Sequence, residues 1–156
     1  MVDKSVIGRK LSLVEEHRRR IKGLPALTIE VFKKDTTVQD ILLFNITQAI
    51  QNCVDIATHI ISDEGWGVPG TQGEIFDILK DRGVVSEELS EKLIAMVGFR
   101  NRVIHEYEKL NLDIVYDIWQ NRIQDIEKFC LAVVERFGKP YERPSPKTPQ
   151  RNLKRQ

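Results

Sequence analysis

Residues 98–107 read Gly98-Phe-Arg-Asn-Arg-Val-Ile-His-Glu-Tyr107, and this segment decides how we interpret the chain. Apolar residues recur before and within it at the three- and four-residue steps of an amphipathic helix: Leu89, Leu93, Val97 and Ile104. Arg100 and Asn101 lie on the same stripe, where the pattern asks for a large apolar residue. Polar side chains on a core-facing stripe cost free energy unless they are paired or face a cleft. This break in the pattern therefore marks the candidate functional site.

The helical positions of the polar residues predict their relative directions. Each residue turns an α-helix by about 100°, so Asn101 should lie one turn from His105, and Arg100 two turns from Tyr107. Arg100 and His105 diverge by roughly 140° on a straight helix and are expected to flank one groove. A ligand that lies across this groove can contact both side chains.

Each of these polar residues can also have a purely structural role. His105 and Tyr107 can be half-buried residues at the edge of a core, and Arg100 can bridge two helices. Taken singly, these interpretations are the better ones. Taken together with the broken apolar stripe, the four polar positions favour a functional site.

The spacing Arg-x4-His-x-Tyr, with a polar residue after the arginine, resembles the signature of the HepT-like branch of the HEPN superfamily. Arg100, Asn101, His105 and Tyr107 match its four positions. The resemblance extends from about residue 35 to residue 137, and the family has an acid where this chain has Gln51. It implies an all-α, up-and-down bundle of four to five helices that forms a symmetric homodimer with its cleft at the two-fold interface. The absence of any alternating strand pattern also predicts a helical bundle.

The resemblance further implies an activity and a partner. HepT-like proteins are toxins of toxin–antitoxin systems that cleave RNA, such as mRNA or tRNA, and a minimal nucleotidyltransferase antitoxin of the MntA type neutralises them. That antitoxin uses ATP and magnesium to adenylylate the motif tyrosine, here Tyr107, so this chain is expected to need no cofactor or metal of its own. The added AMP would bring bulk and negative charge to the mouth of the RNA site.

The residue types suit metal-independent RNA cleavage. This reaction needs a base for the 2′-hydroxyl, an acid for the leaving 5′-oxygen and positive charge on the transition state. Histidine exchanges protons near neutral pH, which suits His105, and the guanidinium of Arg100 suits phosphate oxygens. Asn101 can fix the orientation of the imidazole. A single histidine cannot be acid and base at once, so a second His105 from a symmetric partner would complete the set.

A function of another class remains open. The chain can be a non-enzymatic HEPN interaction module that binds nucleotide or RNA and docks a nucleotidyltransferase. Replacing His105 by alanine separates the two functions, because growth inhibition should vanish for the enzyme and persist for the binding module.

The other helices follow from apolar periodicity and capping residues. We predict helices over about 3–22, 35–62 and 74–82, a helix that Ser86 caps and that carries the motif, and a helix over 113–137. The second is apolar around so much of its circumference that it should be the most buried element. On the first, Arg18, Arg19 and Arg20 are predicted to face outward, where a charge run is usually solvated.

Composition indicates one globular domain followed by a tail. The chain has 156 residues, of which 41% are hydrophobic and 30% charged. We assign residues 1–138 to the helical domain and residues 139–156 to a basic, Pro-rich tail that is predicted to be flexible. No apolar run is long enough to span a bilayer and no signal-peptide core is present, so we expect a cytoplasmic protein without membrane contact.

Several residues outside the motif have open or structural interpretations. Asp55 and His59 lie one turn apart, but a third metal ligand is missing from the pattern, so an ordinary polar pair is favoured. Trp66 is predicted to cap the core. Whether Gln51, Asp55 or Trp66 supports the site stays open.

Overall fold

The computed structural model describes residues 2–138, and every regular element in this range is helical. The elements are α1 (Lys4–Lys22), α2 (Ile29–Phe32), α3 (Thr36–Glu64), α4 (Gln72–Asp81), α5 (Glu87–His105), a 3-10 helix (Tyr107–Lys109), α6 (Leu112–Asn121) and α7 (Ile123–Phe137). The predicted all-α bundle is thereby confirmed, with α1, α3, α5 and α7 as its long helices. The tail predicted over residues 139–156 lies outside the described residues.

Helix α3 is the centre of the bundle, as its broad apolar surface predicts. It packs against α1, α2, α4, α5 and α7. Leu42, Ile46, Ile56 and Ile60 on this helix are completely buried, and full burial of each such side chain contributes about 1.5–3 kcal/mol. Gly65 ends the helix in the left-handed conformation, with φ of 67°.

The predicted start of the motif helix is confirmed. The side-chain oxygen of Ser86 accepts a hydrogen bond from the backbone N–H of Leu89 at 3.1 Å, which begins α5 at Glu87. Helix α5 then runs without interruption through Gly98, which lies on an exposed face. It ends at His105, because Glu106 leaves the helical conformation with φ of −133° and ψ of 34°.

The single helix predicted over residues 113–137 is wrong, since the structure has two helices that meet at Arg122. The bend lets α6 pack against α2 while α7 packs against α3 and α5. Phe32 of α2 contacts the rings of Tyr116 and Trp119 of α6, at centroid distances of 5.6 and 5.5 Å. The sequence does not reveal this bend because both helices keep an apolar face inward and the periodicity continues across it.

The outward orientation predicted for Arg18 is also wrong. Arg18 is only 6% exposed, and its guanidinium pairs with the carboxylates of Glu15 at 2.6 Å and Glu127 at 2.9 Å. The second pair joins α1 to α7. The long aliphatic part of arginine lies along apolar surface and carries its charge to the boundary between the helices. Arg20, in contrast, is half-exposed and pairs with Glu16 within α1.

The prediction for Trp66 is confirmed, because its ring packs against the hydrophobic core. The guanidinium of Arg82 lies 5.5 Å from the centroid of this ring. No helix within residues 2–138 is both long enough and apolar enough to cross a bilayer.

Candidate active site

Arg100 extends from α5 into the junction of α3, α4 and α5. The residue is 6% exposed. Its Nη1 donates a hydrogen bond to Oε1 of Gln51 on α3, and its Nη2 donates to Oε1 of Gln72 on α4 and to Oδ1 of Asn101 at 2.9 Å. Three neutral carboxamide oxygens therefore hold the guanidinium in place.

Within residues 2–138, no carboxylate forms an ion pair with Arg100. Gln51 also donates to Asp55 at 2.8 Å, but Asp55 pairs with Lys10 at 3.1 Å. Among the described residues, the positive charge of Arg100 therefore has no carboxylate partner. A buried charge without a counter-charge is costly, which points to a binding role for an anion.

Gln72 is the most exposed of the three residues whose carboxamides hold Arg100. It is the first residue of α4, which Thr71 begins by accepting a hydrogen bond from the backbone N–H of Glu74 at 3.2 Å. Gln72 is exposed, so the Nη2 end of Arg100 lies just beneath the surface. A phosphate oxygen forms a stronger, charge-assisted hydrogen bond than a neutral amide does. A phosphate of an RNA backbone could therefore displace the Gln72 side chain and accept the hydrogen bond from Nη2.

The structure corrects the groove that straight-helix geometry predicts. His105 is exposed, whereas Arg100 is buried, so the two side chains do not face solvent together in one protomer. The reason is that Arg100 lies on the core-facing side of α5 and its length lets it reach carboxamides on two other helices. The Asn101 oxygen binds Arg100, so in the structure it orients the guanidinium and not the imidazole.

His105 and Tyr107 share an open depression at the end of α5. Its volume is about 390 Å³, and its other lining residues are Ile104, Glu106, Glu108 and Lys109. Tyr107 was expected on the same helix as Arg100, but α5 ends at His105 and Tyr107 begins the 3-10 helix. The change of backbone direction at Glu106 therefore places the tyrosine beside the imidazole, in a depression that Arg100 does not line.

Tyr107 contacts a residue from the start of the central helix. The residue is 51% exposed, and its hydroxyl donates a hydrogen bond to Oδ1 of Asp40 on α3. This hydrogen bond, together with partial burial and the negative charge of Asp40, raises the pKa of the Tyr107 hydroxyl above its ordinary value. Asp40 and Tyr107 are 67 residues apart in the chain, so nothing in the sequence indicates their contact.

The sequence did not indicate that Gln72 and Asp40 contact the motif residues. It left open whether Gln51 and Asp55 support the site. Gln51 and Asp55 had a signal, because two polar residues four positions apart interrupt the most apolar helix. Asp55 contacts Lys10 and Gln51 through its two oxygens. Within residues 2–138, no group of three or more His, Cys, Asp or Glu side chains is placed to hold a metal ion.

Fold and site together define a class of protein. A helical bundle that presents an arginine and a histidine, five residues apart, near the end of one helix matches the HEPN arrangement that the motif resembles. Its uncompensated guanidinium and exposed imidazole are suited to binding and cleaving a phosphodiester.

The family model described as "Ribonuclease HepT-like" matches residues 14–133, and the chain therefore belongs to the HepT-like ribonuclease family. The mRNA nuclease HepT of Shewanella oneidensis is 38% identical over 98 residues, which cover 63% of this chain and 74% of that protein. The tRNA nuclease HepT of Aphanizomenon flos-aquae is 27% identical over 118 residues, covering 74% and 78%.

The solved structures agree with this assignment. The tri-AMPylated HEPN toxin of Shewanella oneidensis, solved in complex with an MNT antitoxin, is 30% identical and superposes with a TM-score of 0.75. The match covers 83% of this chain and 97% of that toxin. The fold of this HepT-like chain is accordingly shared with a HEPN toxin that was solved together with its antitoxin.

Proposed function

We propose that this protein is a toxin that cleaves mRNA or tRNA internally and without a metal, using Arg100 and His105 at the interface of a symmetric homodimer. A nucleotidyltransferase antitoxin neutralises it by adenylylating Tyr107. The observation that supports the proposal is the buried guanidinium of Arg100, which neutral carboxamides hold within residues 2–138. The mRNA and tRNA nucleases among its relatives support RNA as the substrate.

Arg100 supplies positive charge to the scissile phosphate. Because the guanidinium is largely removed from water, its attraction for a phosphate oxygen is stronger than that of an exposed arginine. Gln51 and Asn101 keep the guanidinium oriented after Gln72 releases it, so little reorganisation is needed when charge develops in the transition state. His105 moves the protons, because it is exposed and can meet the reacting hydroxyl groups.

A second copy of the chain supports the reaction in two ways. It supplies a second His105, so that one imidazole acts as base while the other acts as acid. It also covers apolar side chains that are exposed near the site. Ile104, next to His105, is 60% exposed, while Ile41 and Phe44, which follow Asp40 on α3, are 41% and 55% exposed. We place the interface over these side chains, because contiguous exposed apolar surface marks sites of protein interaction.

Tyr107 is suited to be the regulated residue. It is half-exposed and lies in the same depression as His105. An AMP group attached to its hydroxyl would place negative charge and bulk beside the imidazole, where it would repel the RNA backbone. The tri-AMPylated state of the similar Shewanella oneidensis toxin supports this form of control.

Replacement of His105 by alanine tests the proposal. We expect cleavage of mRNA and tRNA substrates to fall by about 10²–10⁴-fold, the usual contribution of a general acid or base. Cleavage is followed on gels, and folding is checked by circular dichroism. The control is His59→Ala, which removes a histidine from α3 outside the depression. Undiminished cleavage by His105→Ala would contradict the proposal, and growth inhibition that persists in this variant would favour a non-enzymatic HEPN interaction module.

A further inference from the structure

The Tyr107 hydroxyl and the Asp40 carboxylate form a contact that RNA cleavage does not use. Asp40 lies in the second turn of α3, whereas Tyr107 opens the 3-10 helix after α5. The tyrosine O–H donates to Oδ1 of Asp40, and both residues are exposed. A single hydrogen bond between exposed groups contributes little to stability. Its position on the atom that would be modified suggests a chemical role.

From this contact we propose that Asp40 is the general base that activates Tyr107 for adenylyl transfer. The inference rests on the proposed function, in which a nucleotidyltransferase modifies Tyr107. The Tyr107 proton passes to Oδ1 of Asp40 as the phenolic oxygen forms a bond to the α-phosphorus of ATP. The bond between the α-phosphorus and the bridging oxygen breaks, and pyrophosphate leaves. The partner supplies ATP and magnesium, and this chain supplies both the nucleophile and the group that accepts its proton.

The need for a base follows from the state of the hydroxyl. Phenols are largely protonated at neutral pH, and the neighbouring carboxylate raises the pKa of Tyr107 further. Spontaneous ionisation therefore contributes little, and the proton has to be removed during the transfer. An aspartate that contacts the attacking hydroxyl performs this task in protein kinases, where it accepts the proton of the substrate hydroxyl.

The two carboxylates that line the depression are less suited to this role. Glu106 and Glu108 line it together with Tyr107, but the hydroxyl hydrogen bond goes to Asp40. Glu108→Gln therefore makes a matched control, because it removes one negative charge close to Tyr107 without changing the group that contacts the hydroxyl.

The experiment compares full-length wild type, Asp40→Asn, Glu108→Gln and Tyr107→Phe, each incubated with the purified nucleotidyltransferase, ATP and magnesium. Intact-protein mass spectrometry follows the addition of AMP over time. Asparagine keeps an acceptor oxygen but cannot take the proton, so we expect the initial rate for Asp40→Asn to fall by about 10²–10⁴-fold. The rate for Glu108→Gln should stay close to that of wild type, and Tyr107→Phe should gain no AMP.

A second measurement separates a base from a residue that only holds the tyrosine in place. Fluorinated tyrosine at position 107 has a more acidic hydroxyl and depends less on a base, so it should restore most of the rate in the Asp40→Asn background. An Asp40→Asn protein modified as fast as wild type, or one that fluorotyrosine does not rescue, would overturn the inference and leave the proposed function standing. A wild-type protein that gains no AMP, or a Tyr107→Phe protein that gains it, would overturn both.

Discussion

Arg18 and Arg100 are equally buried, at 6% exposure each, yet their surroundings differ in kind. Arg18 pairs with two carboxylates, those of Glu15 and Glu127, and joins α1 to α7. In the part of the chain that the structure describes, the partners of Arg100 are the carboxamide oxygens of Gln51, Gln72 and Asn101. The first arginine has its charge neutralised inside the fold, whereas the second keeps its charge.

This difference fits the roles proposed for the two arginines, a structural one for Arg18 and a functional one for Arg100. A buried charge that is paired can contribute to packing and to the choice of helix partners, while an unpaired buried charge opposes folding. A fold tolerates an unpaired buried charge where that charge has a function, and anion binding would be such a function. Removing the charge of Arg18 should therefore lower the stability of the fold, whereas removing the charge of Arg100 should lower the rate of cleavage.

Between the two arginine sites, the largest effect is expected for Arg100→Met, which keeps the length of the side chain and removes its charge. We expect RNA cleavage to fall by about 10²–10³-fold, as for loss of a donor that stabilises a transition state. The free energy of unfolding in urea should change by less than about 1 kcal/mol, because an unfavourable buried charge is lost together with the hydrogen bonds. A strongly destabilised variant whose folded molecules still cleave RNA would make Arg100 a structural residue like Arg18.

Arg18→Met is the matched substitution at the other site. We expect the free energy of unfolding to fall by about 1–3 kcal/mol through loss of two charged hydrogen bonds. The value should be near the lower end, since the Glu15 and Glu127 side chains are 53% and 49% exposed and can be hydrated. Cleavage per folded molecule should equal that of wild type. Urea unfolding and cleavage assays on the same sample measure both, and a loss of cleavage without loss of stability would remove the distinction.

Gln72→Glu should make Arg100 resemble Arg18, because it places a carboxylate beside Nη2. We expect cleavage to fall by about tenfold, since phosphate must then compete with a charged partner. Stability should rise by about 0.3–1 kcal/mol, because an acid at the start of α4 interacts favourably with the helix dipole. Gln124→Glu, in the first turn of α7, is the control: it should show the gain in stability alone. Unchanged cleavage by Gln72→Glu would mean that phosphate does not displace this side chain.

The helices were predictable wherever local signals specify them. Ser86 and Asp35 begin their helices because their side-chain oxygens accept hydrogen bonds from nearby backbone N–H groups. The break at Arg122 was not predictable, since apolar spacing continues through it. The same limit applies to Arg18, whose position in a charge run indicates a solvated face until α7 places Glu127 beside it.

The sequence by itself determined the bundle, the order of its long helices and the motif of Arg100, Asn101, His105 and Tyr107, because periodicity and spacing are properties of neighbouring residues. Only the tertiary structure decided what these residues contact. Packing brings Gln51 and Gln72 to Arg100 from 49 and 28 residues away, and it brings Asp40 to Tyr107 from 67 residues away. The partners of a side chain depend on how whole helices pack, and no local pattern records that arrangement.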